Sequence, residues 1–316
     1  EKKALGPRHL RVARSLKRLG TALRDDGELE AALRAYGESL AIEEEVLGPT
    51  HPDVASTVQA SGVTLSRLGR YAEARAAYER ALAIRERILG EDHPLVGETL
   101  ASLVVAMRWS GAAAEALPLA ERAERIEEAS FGAENEKTAG AINNVGYVEE
   151  ALGRLAEARD AYERSLRIRE KLFGRDGARV SISLGNLARV ALAQGDAKTA
   201  AALYERATKI DERTLKPDHP DRAYDLVGLG EAYLALGAAA RALPLVEKAL
   251  ALREAARVAP RLLAEARFAC ARALWATGDR ARAVTLASQA KSEYAPLGPA
   301  FETDRQAVDA WLRAPH

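Results

Sequence analysis

Residues 54–69 read VASTVQASGVTLSRLG, and residues 70–90 read RYAEARAAYERALAIRERILG. In the first stretch Val58, Ser61, Gly62, Leu65 and Leu68 recur at spacings of three and four, which marks one face of a helix. In the second, Ala74, Ala77, Tyr78, Ala81, Leu82, Ile84 and Leu89 form an apolar stripe. Glu73, Arg75, Glu79, Arg80, Arg85 and Glu86 fill the remainder. Gly69, between the two, supplies the positive φ that ends the first helix. The pair therefore reads as two helices joined by a tight turn. No segment of the chain sustains a period-two alternation, so no strand is expected.

The same reading applies along the whole chain. A glycine follows a helical run at Gly27, Gly69, Gly111, Gly153, Gly195, Gly237 and Gly278, spaced by 42 residues five times and then by 41. Five residues after each glycine stands an alanine: Ala32, Ala74, Ala116, Ala158, Ala200, Ala242 and Ala283. Length alone (316 residues) suggests about two domains. The period replaces that prior with one array of seven units, at about 9–50, 51–92, 93–134, 135–176, 177–218, 219–258 and 259–298. The links also repeat, as LGPTHPDV (47–54), LGEDHPLV (89–96) and LKPDHPDR (215–222). Pro52, Pro94 and Pro220 suit a first helical turn, and Asp92 and Asp218 are expected to cap it.

Seven residues before each turn glycine the chain carries Gly20, Gly62, Val104, Gly146, Ala188, Gly230 and Ala271. A mid-helix glycine costs roughly 1 kcal/mol against alanine, so its recurrence asks for a steric reason. The expected reason is close approach of the two helices, with this small column facing the alanine column. A larger side chain at Ala74 or Ala158 should overpack the contact by about 1–3 kcal/mol.

The pattern L-x-x-L-G/A-x-x-x-x-x-x-G-x-x-x-x-A-x-x-x-Y-x-x-A resembles the tetratricopeptide repeat. The longer unit, ending I-R-E-x-x-L-G-x-D-H-P-x-V, is similar to the 42-residue variant of kinesin light chains and of many bacterial signalling proteins. The resemblance runs from residue 10 to about residue 294 and is strongest in repeats two, four and five. In repeat three Ala120 replaces the tyrosine of Tyr78 and Tyr162, and repeat seven has Arg267 at a normally apolar position. The resemblance implies an all-α fold: a right-handed α-solenoid of about seven helical hairpins, with first helices lining a concave surface.

Residues 1–12, EKKALGPRHLRV, align with residues 43–54. Residues 1–8 therefore read as the end of a preceding repeat, and the chain is expected to be a fragment of a longer protein. Residues 299–316 read as a C-terminal capping helix in which Phe301, Val308, Trp311 and Leu312 cover repeat seven.

Composition bounds the function. Lys plus Arg and Asp plus Glu each total 46, so the net charge is zero. Arg and Glu also interleave through every second helix, so no nucleic-acid partner is expected. One cysteine, Cys270, excludes an internal disulfide. No run of eighteen apolar residues spans a membrane, and the N-terminus is no signal peptide, so a cytoplasmic location is expected.

Chemistry is sparse. His9, His51, His93 and His219 lie on the 42-residue lattice. Adjacent repeats stack about 8–10 Å apart, too far for one metal held at about 2.0–2.1 Å, so these histidines read as turn supports. Cys270 falls in a stripe where other repeats place Leu103, Leu187 and Leu229, and reads as a core thiol. Gly228-Leu229-Gly230 lacks the strand that a nucleotide loop needs. Glu44, Glu86, Glu128, Glu170, Glu212 and Glu254 form a column that reads as a solvated or ion-paired face. No enzyme, cofactor or metal is expected.

A partner would meet the first helices. Asn143, Asn144 and Asn186 occupy the phase where the kinesin-light-chain pattern L-N-N-L-A carries its asparagines, and an amide side chain can hold an extended peptide backbone. Only repeat four keeps both asparagines. Gln59 and Tyr147 share the face. Arg18, Arg67, Arg108 and Arg189 form a basic track, and the resemblance implies an acidic or aromatic-acidic linear motif. Trp109 and Trp275 read equally as partner anchors or as packing between repeats. The expectation is a non-enzymatic scaffold for a protein or linear peptide within a larger signalling or defence protein. The alternative is a regulator of a kinase, NTPase or protease domain upstream in the same polypeptide. Self-assembly through the N-terminal face is a further option.

Overall fold

The computed structural model describes residue 6, residues 8–256 and residues 258–314. The described residues contain no strand and form helices joined by short turns. Two compact units divide the chain, residues 1–132 and residues 133–316. The reading of residues 1–8 as the end of an earlier repeat falls largely outside the described residues.

The first unit holds three hairpins. They are α1 (Leu10–Asp25) with α2 (Leu29–Leu47), α3 (Pro52–Arg67) with α4 (Tyr71–Leu89), and α5 (Pro94–Trp109) with α6 (Ala113–Phe131). The second unit holds four. They are α7 (Glu136–Ala151) with α8 (Leu155–Phe173), α9 (Ala178–Ala193) with α10 (Ala197–Thr214), α11 (Arg222–Ala235) with α12 (Ala239–Ala255), and α13 (Pro260–Thr277) with α14 (Arg280–Tyr294). A final helix, α15 (Glu302–Arg313), follows.

The turns explain the glycine lattice. Gly69 has φ 78°. The next residue, Arg70, returns its N–H to the Leu65 carbonyl at 2.9 Å. The same six-to-one bond closes every hairpin, from Glu28 to Leu23 through Asp279 to Leu274. It satisfies a carbonyl that the ending helix would otherwise orphan.

The histidine lattice has an equally local cause. Nδ1 of His9, His51 and His93 accepts the backbone N–H two residues on, each at 3.1 Å, and His219 does so at 3.2 Å. His9, His51 and His93 are thus the N-caps of α1, α3 and α5, and His219 holds the entry to α11. This corrects the expectation that Asp92 and Asp218 do the capping: Asp92 stands one residue before the N-cap His93, and Asp218 stands three before Asp221, the residue that precedes α11. An accepting Nδ1 places the remaining ring proton on Nε2. Asn135 takes the role in repeat four, accepting from the Lys137 N–H at 2.9 Å. Replacing His51 by alanine should cost about 1 kcal/mol in urea unfolding, the usual price of a lost cap.

Packing inside the hairpins differs from the expected small-on-small contact. A Cβ built on Gly20 would stand 2.7 Å from the Tyr36 ring. At Gly62 it would stand 2.7 Å from Tyr78, and at Gly146 2.9 Å from Tyr162. The glycines therefore make room for a tyrosine ring, not for the alanine column. Repeat six pairs Gly230 with Val246, whose methyl would be 2.3 Å away. Repeat three reverses the order, with Val104 and Ala120 both buried. In repeat five the small position is Ala188, and the Tyr204 ring turns to Gly228 of the next first helix, 2.2 Å from a built Cβ.

At the C-terminal end Trp311 of α15 meets Phe268 and Trp275 of α13 edge-on, with ring centroids 6.1 and 5.5 Å apart. Phe301 and Val308 are buried, and Trp311 and Leu312 are half-buried. The helix caps the last hairpin, and Trp275 is part of that packing.

Candidate functional site

The residues expected to meet a partner lie on first helices, and most already hold a neighbour. In the first unit Gln59 is buried and donates from Nε2 to Ser102 Oγ at 3.1 Å. Arg67 reaches back from Nη1 to the Arg24 carbonyl at 3.1 Å, so it supports the end of α1. Arg108 lies over the Trp109 ring at 4.1 Å, and Trp109 stacks on Tyr71 at 6.1 Å. Trp109 thus packs repeat two against repeat three. Arg18 is exposed on α1 and makes no ion pair among the described residues.

In the second unit the asparagines meet. Nδ2 of Asn186 donates to Oδ1 of Asn143 at 2.8 Å, joining α9 to α7. Asn144 is half-buried beside them, and its side chain makes no hydrogen bond among the described residues. Arg189 binds Glu150 with both arms, Nε to Oε1 at 2.5 Å and Nη2 to Oε2 at 2.6 Å. Tyr162 donates its hydroxyl to Glu150 Oε2 at 2.9 Å, and Arg189 lies 5.7 Å from the Tyr147 ring. The Arg189 side chain is still 40% exposed, against 11% for Glu150. Burial opposes the Arg189 charge, but Glu150 outweighs it and holds the guanidinium well above its ordinary pKa. Burial likewise pushes the Tyr162 hydroxyl well up. The basic track is therefore neutralised at this point, and the pair offers a fixed dipole to the surface.

Sequence reasoning placed Tyr224 on this face but missed Ile182 in the same row. Ile182 on α9 and Tyr224 on α11 stand 42 residues apart at one repeat phase, and they are 44% and 47% exposed. The same phase on α7 is Gly140, whose absent Cβ would meet nothing within 4 Å. One turn further along these helices come Asn144, Asn186 and Gly228, and beyond them Tyr147, Arg189 and Glu231. Glu231 is paired with Arg272 of α13. The face thus carries an apolar row, an amide row and a row of paired charges. The lattice phase alone could have flagged Ile182.

The remaining columns are structural. Arg80 pairs with Glu44, Arg122 with Glu86 at 2.6 Å, and Arg206 with Glu170 at 2.5 Å, each across consecutive repeats. The second guanidinium arm of Arg122 reaches the linker carbonyl of Glu91, and Nη2 of Arg206, which holds Glu170, also donates to the carbonyl of Arg175. Cys270 is buried, which pushes its thiol up to about 12. Among the described residues no helix is long and apolar enough to cross a membrane.

The tetratricopeptide repeat family profile matches residues 11–86, 55–129, 137–213 and 200–255, and a second profile of the same description matches 264–289. No curated protein matches the chain. Among solved structures the chain is similar to a putative kinesin light chain with nearly identical TPR-like repeats from Podosopora anserina. That match has 25% identity and a TM-score of 0.51, covering 65% of this chain and 97% of that one. It is also similar to a Rap protein complexed with competence and sporulation factor, at 16% identity and a TM-score of 0.68, covering 88% and 73% of the two chains. The Rap conjugation gene regulator of plasmid pLS20, solved with the Phr* peptide, matches at 13% identity and a TM-score of 0.66, covering 94% and 75%. Arrays of this kind present extended surfaces to other proteins. From its profile matches and its lattice of helical hairpins, the chain belongs to the tetratricopeptide repeat family.

Proposed function

We propose that the second unit binds an extended peptide across the first helices α7, α9 and α11. The observation that carries the reading is the three-row face. A peptide crossing helices about 8–10 Å apart advances about three residues per helix at 3.3–3.4 Å each. Asn144 and Asn186 meet its backbone, because an amide both donates and accepts. Ile182 and Tyr224 take apolar side chains on one edge. The Arg189–Glu150 and Glu231–Arg272 pairs take polar side chains on the other. Arg18, on the first unit, is the arginine that remains available to an acidic residue of a partner. Peptide binding by a Rap regulator of the same fold supports the reading. The array acts as a scaffold within a larger signalling or defence protein in the cytoplasm, without catalysis of its own.

The test is selection of peptides from a random dodecapeptide library on the whole chain. The enriched peptides are then titrated against Tyr224→Ala and Asn186→Ala. Tyr224 is exposed, so its loss leaves folding intact by circular dichroism. It should weaken binding roughly 30-fold, the size of a hot-spot side chain. Equal affinity for wild type and both variants would place binding elsewhere.

A further inference from the structure

Tyr204 of α10 differs from the other tyrosines of its column in what its hydroxyl holds. The Tyr36 hydroxyl meets Thr21 at 3.1 Å, that of Tyr78 meets Ser66 at 3.4 Å, and that of Tyr162 donates to Glu150 at 2.9 Å. Two residues of repeat five undo that arrangement. Ala188 fills the notch that Gly20, Gly62 and Gly146 leave open. Leu192 stands at the phase of Ser66 and Glu150 and offers no acceptor. The Tyr204 ring turns to α11 instead. Tyr204 is 5% exposed, and its hydroxyl makes no hydrogen bond among the described residues. A buried hydroxyl left without a partner is costly, so its persistence asks for a reason.

The place it reaches supplies one. The hydroxyl oxygen lies 2.6 Å from the point where a Gly228 Cβ would stand. Gly228 is half-buried and shares the phase of Asn144 and Asn186. The phenol therefore takes the position of the third amide in that row, and any side chain at residue 228 would displace it. Burial pushes the hydroxyl well above the ordinary tyrosine value, so it keeps its proton and can donate. Arg189 would favour an anion beside it, but both arms of Arg189 hold Glu150. Asp225 and Glu265 act on the same hydroxyl with the opposite sign. A carboxylate is thus disfavoured, and a neutral carbonyl is the acceptor that fits. Gly228, with no side chain, lets a peptide backbone come close.

We propose that Tyr204, a second-helix residue, is the third hydrogen-bonding group of the peptide face, donating its hydroxyl beside Gly228 to a backbone carbonyl of the bound peptide. Asn144 and Asn186 hold the peptide over α7 and α9, and Tyr204 holds it over α11. This contact rests on the peptide reading of the face given above.

The experiment uses a dodecapeptide enriched on the whole chain from the random library, with analogues that carry one backbone ester in place of an amide at each position. An ester removes an N–H and weakens the preceding carbonyl as an acceptor. Tyr204→Phe keeps the ring and removes only the hydroxyl. It should weaken binding about threefold to tenfold, the size of one net neutral hydrogen bond. The ester penalty at one position should disappear in Tyr204→Phe, while the others persist. Ester penalties unchanged at every position would overturn the carbonyl contact. Urea unfolding of the free chain needs no peptide: the midpoint of Tyr204→Phe should stay level or rise, whereas that of Tyr162→Phe should fall. A Tyr204→Phe midpoint that falls as far would make the hydroxyl structural and overturn the proposal. Unchanged affinity of Tyr204→Phe for a peptide that Asn186→Ala binds weakly would overturn it and leave the face reading standing. Equal affinity of wild type, Asn186→Ala, Tyr224→Ala and Tyr204→Phe would remove the face reading and this contact together.

Discussion

A Tyr162→Ala variant is expected to lose about 3–5 kcal/mol of stability, the range for an aromatic ring removed from a packed core. Tyr162 is fully buried in the notch made by Gly146, and its hydroxyl holds Glu150, which in turn holds Arg189. The loss therefore combines a cavity with a weakened polar network. Gly146→Val alone should cost about 1–3 kcal/mol by overpacking against the same ring. Combined, the two should cost less than their sum, because repeat three already solves the contact in reverse with Val104 and Ala120. Urea unfolding of the four species closes the cycle. Strict additivity would show that glycine and tyrosine are not partners.

Arg253→Ala carries the second large effect, about 3 kcal/mol. Arg253 is among the largest fully buried side chains, at 1% exposure. Its Nη1 donates to the Leu262 carbonyl and to Glu265 Oε2, the latter at 2.9 Å, and its guanidinium lies over the Tyr224 ring. Alanine leaves a void and removes the ion pair to Glu265. Arg253→Met refills much of the volume, so only the lost hydrogen bonds remain to be felt, at about 1–2 kcal/mol. A methionine variant as unstable as the alanine variant would assign the effect to charge instead of packing.

These two sites show what the sequence could and could not reveal. The period, the turn glycines and the helix faces were legible because each depends on local spacing. The partner of each glycine was not, because it depends on which of two second-helix residues, four apart, leans across the hairpin. The ladder of capping histidines was visible as a column, but its cause lies in a bond two residues long that assigns the cap to His93 instead of Asp92. Another column stands beside the paired glutamates: Glu43, Arg85, Glu127, Arg169, Asp211 and Arg253 are all buried. It escaped notice because charge on a helix normally reads as solvent-facing. Among the face residues, Asn144 and Asn186 share a phase, while the bond from Asn186 to Asn143 runs one position off it. The neutralising of Arg189 by Glu150 was not foreseen, since it joins different phases of neighbouring repeats.

A peptide held on the first helices of the second unit should slow amide exchange there. The most direct measurement is amide hydrogen exchange of the whole chain with and without a peptide selected from the random library. Added protection is expected on α7, α9 and α11, centred on the turns that carry Asn144, Asn186 and Tyr224. Protection confined to the second helices α8, α10 and α12, or to the first unit, would contradict it.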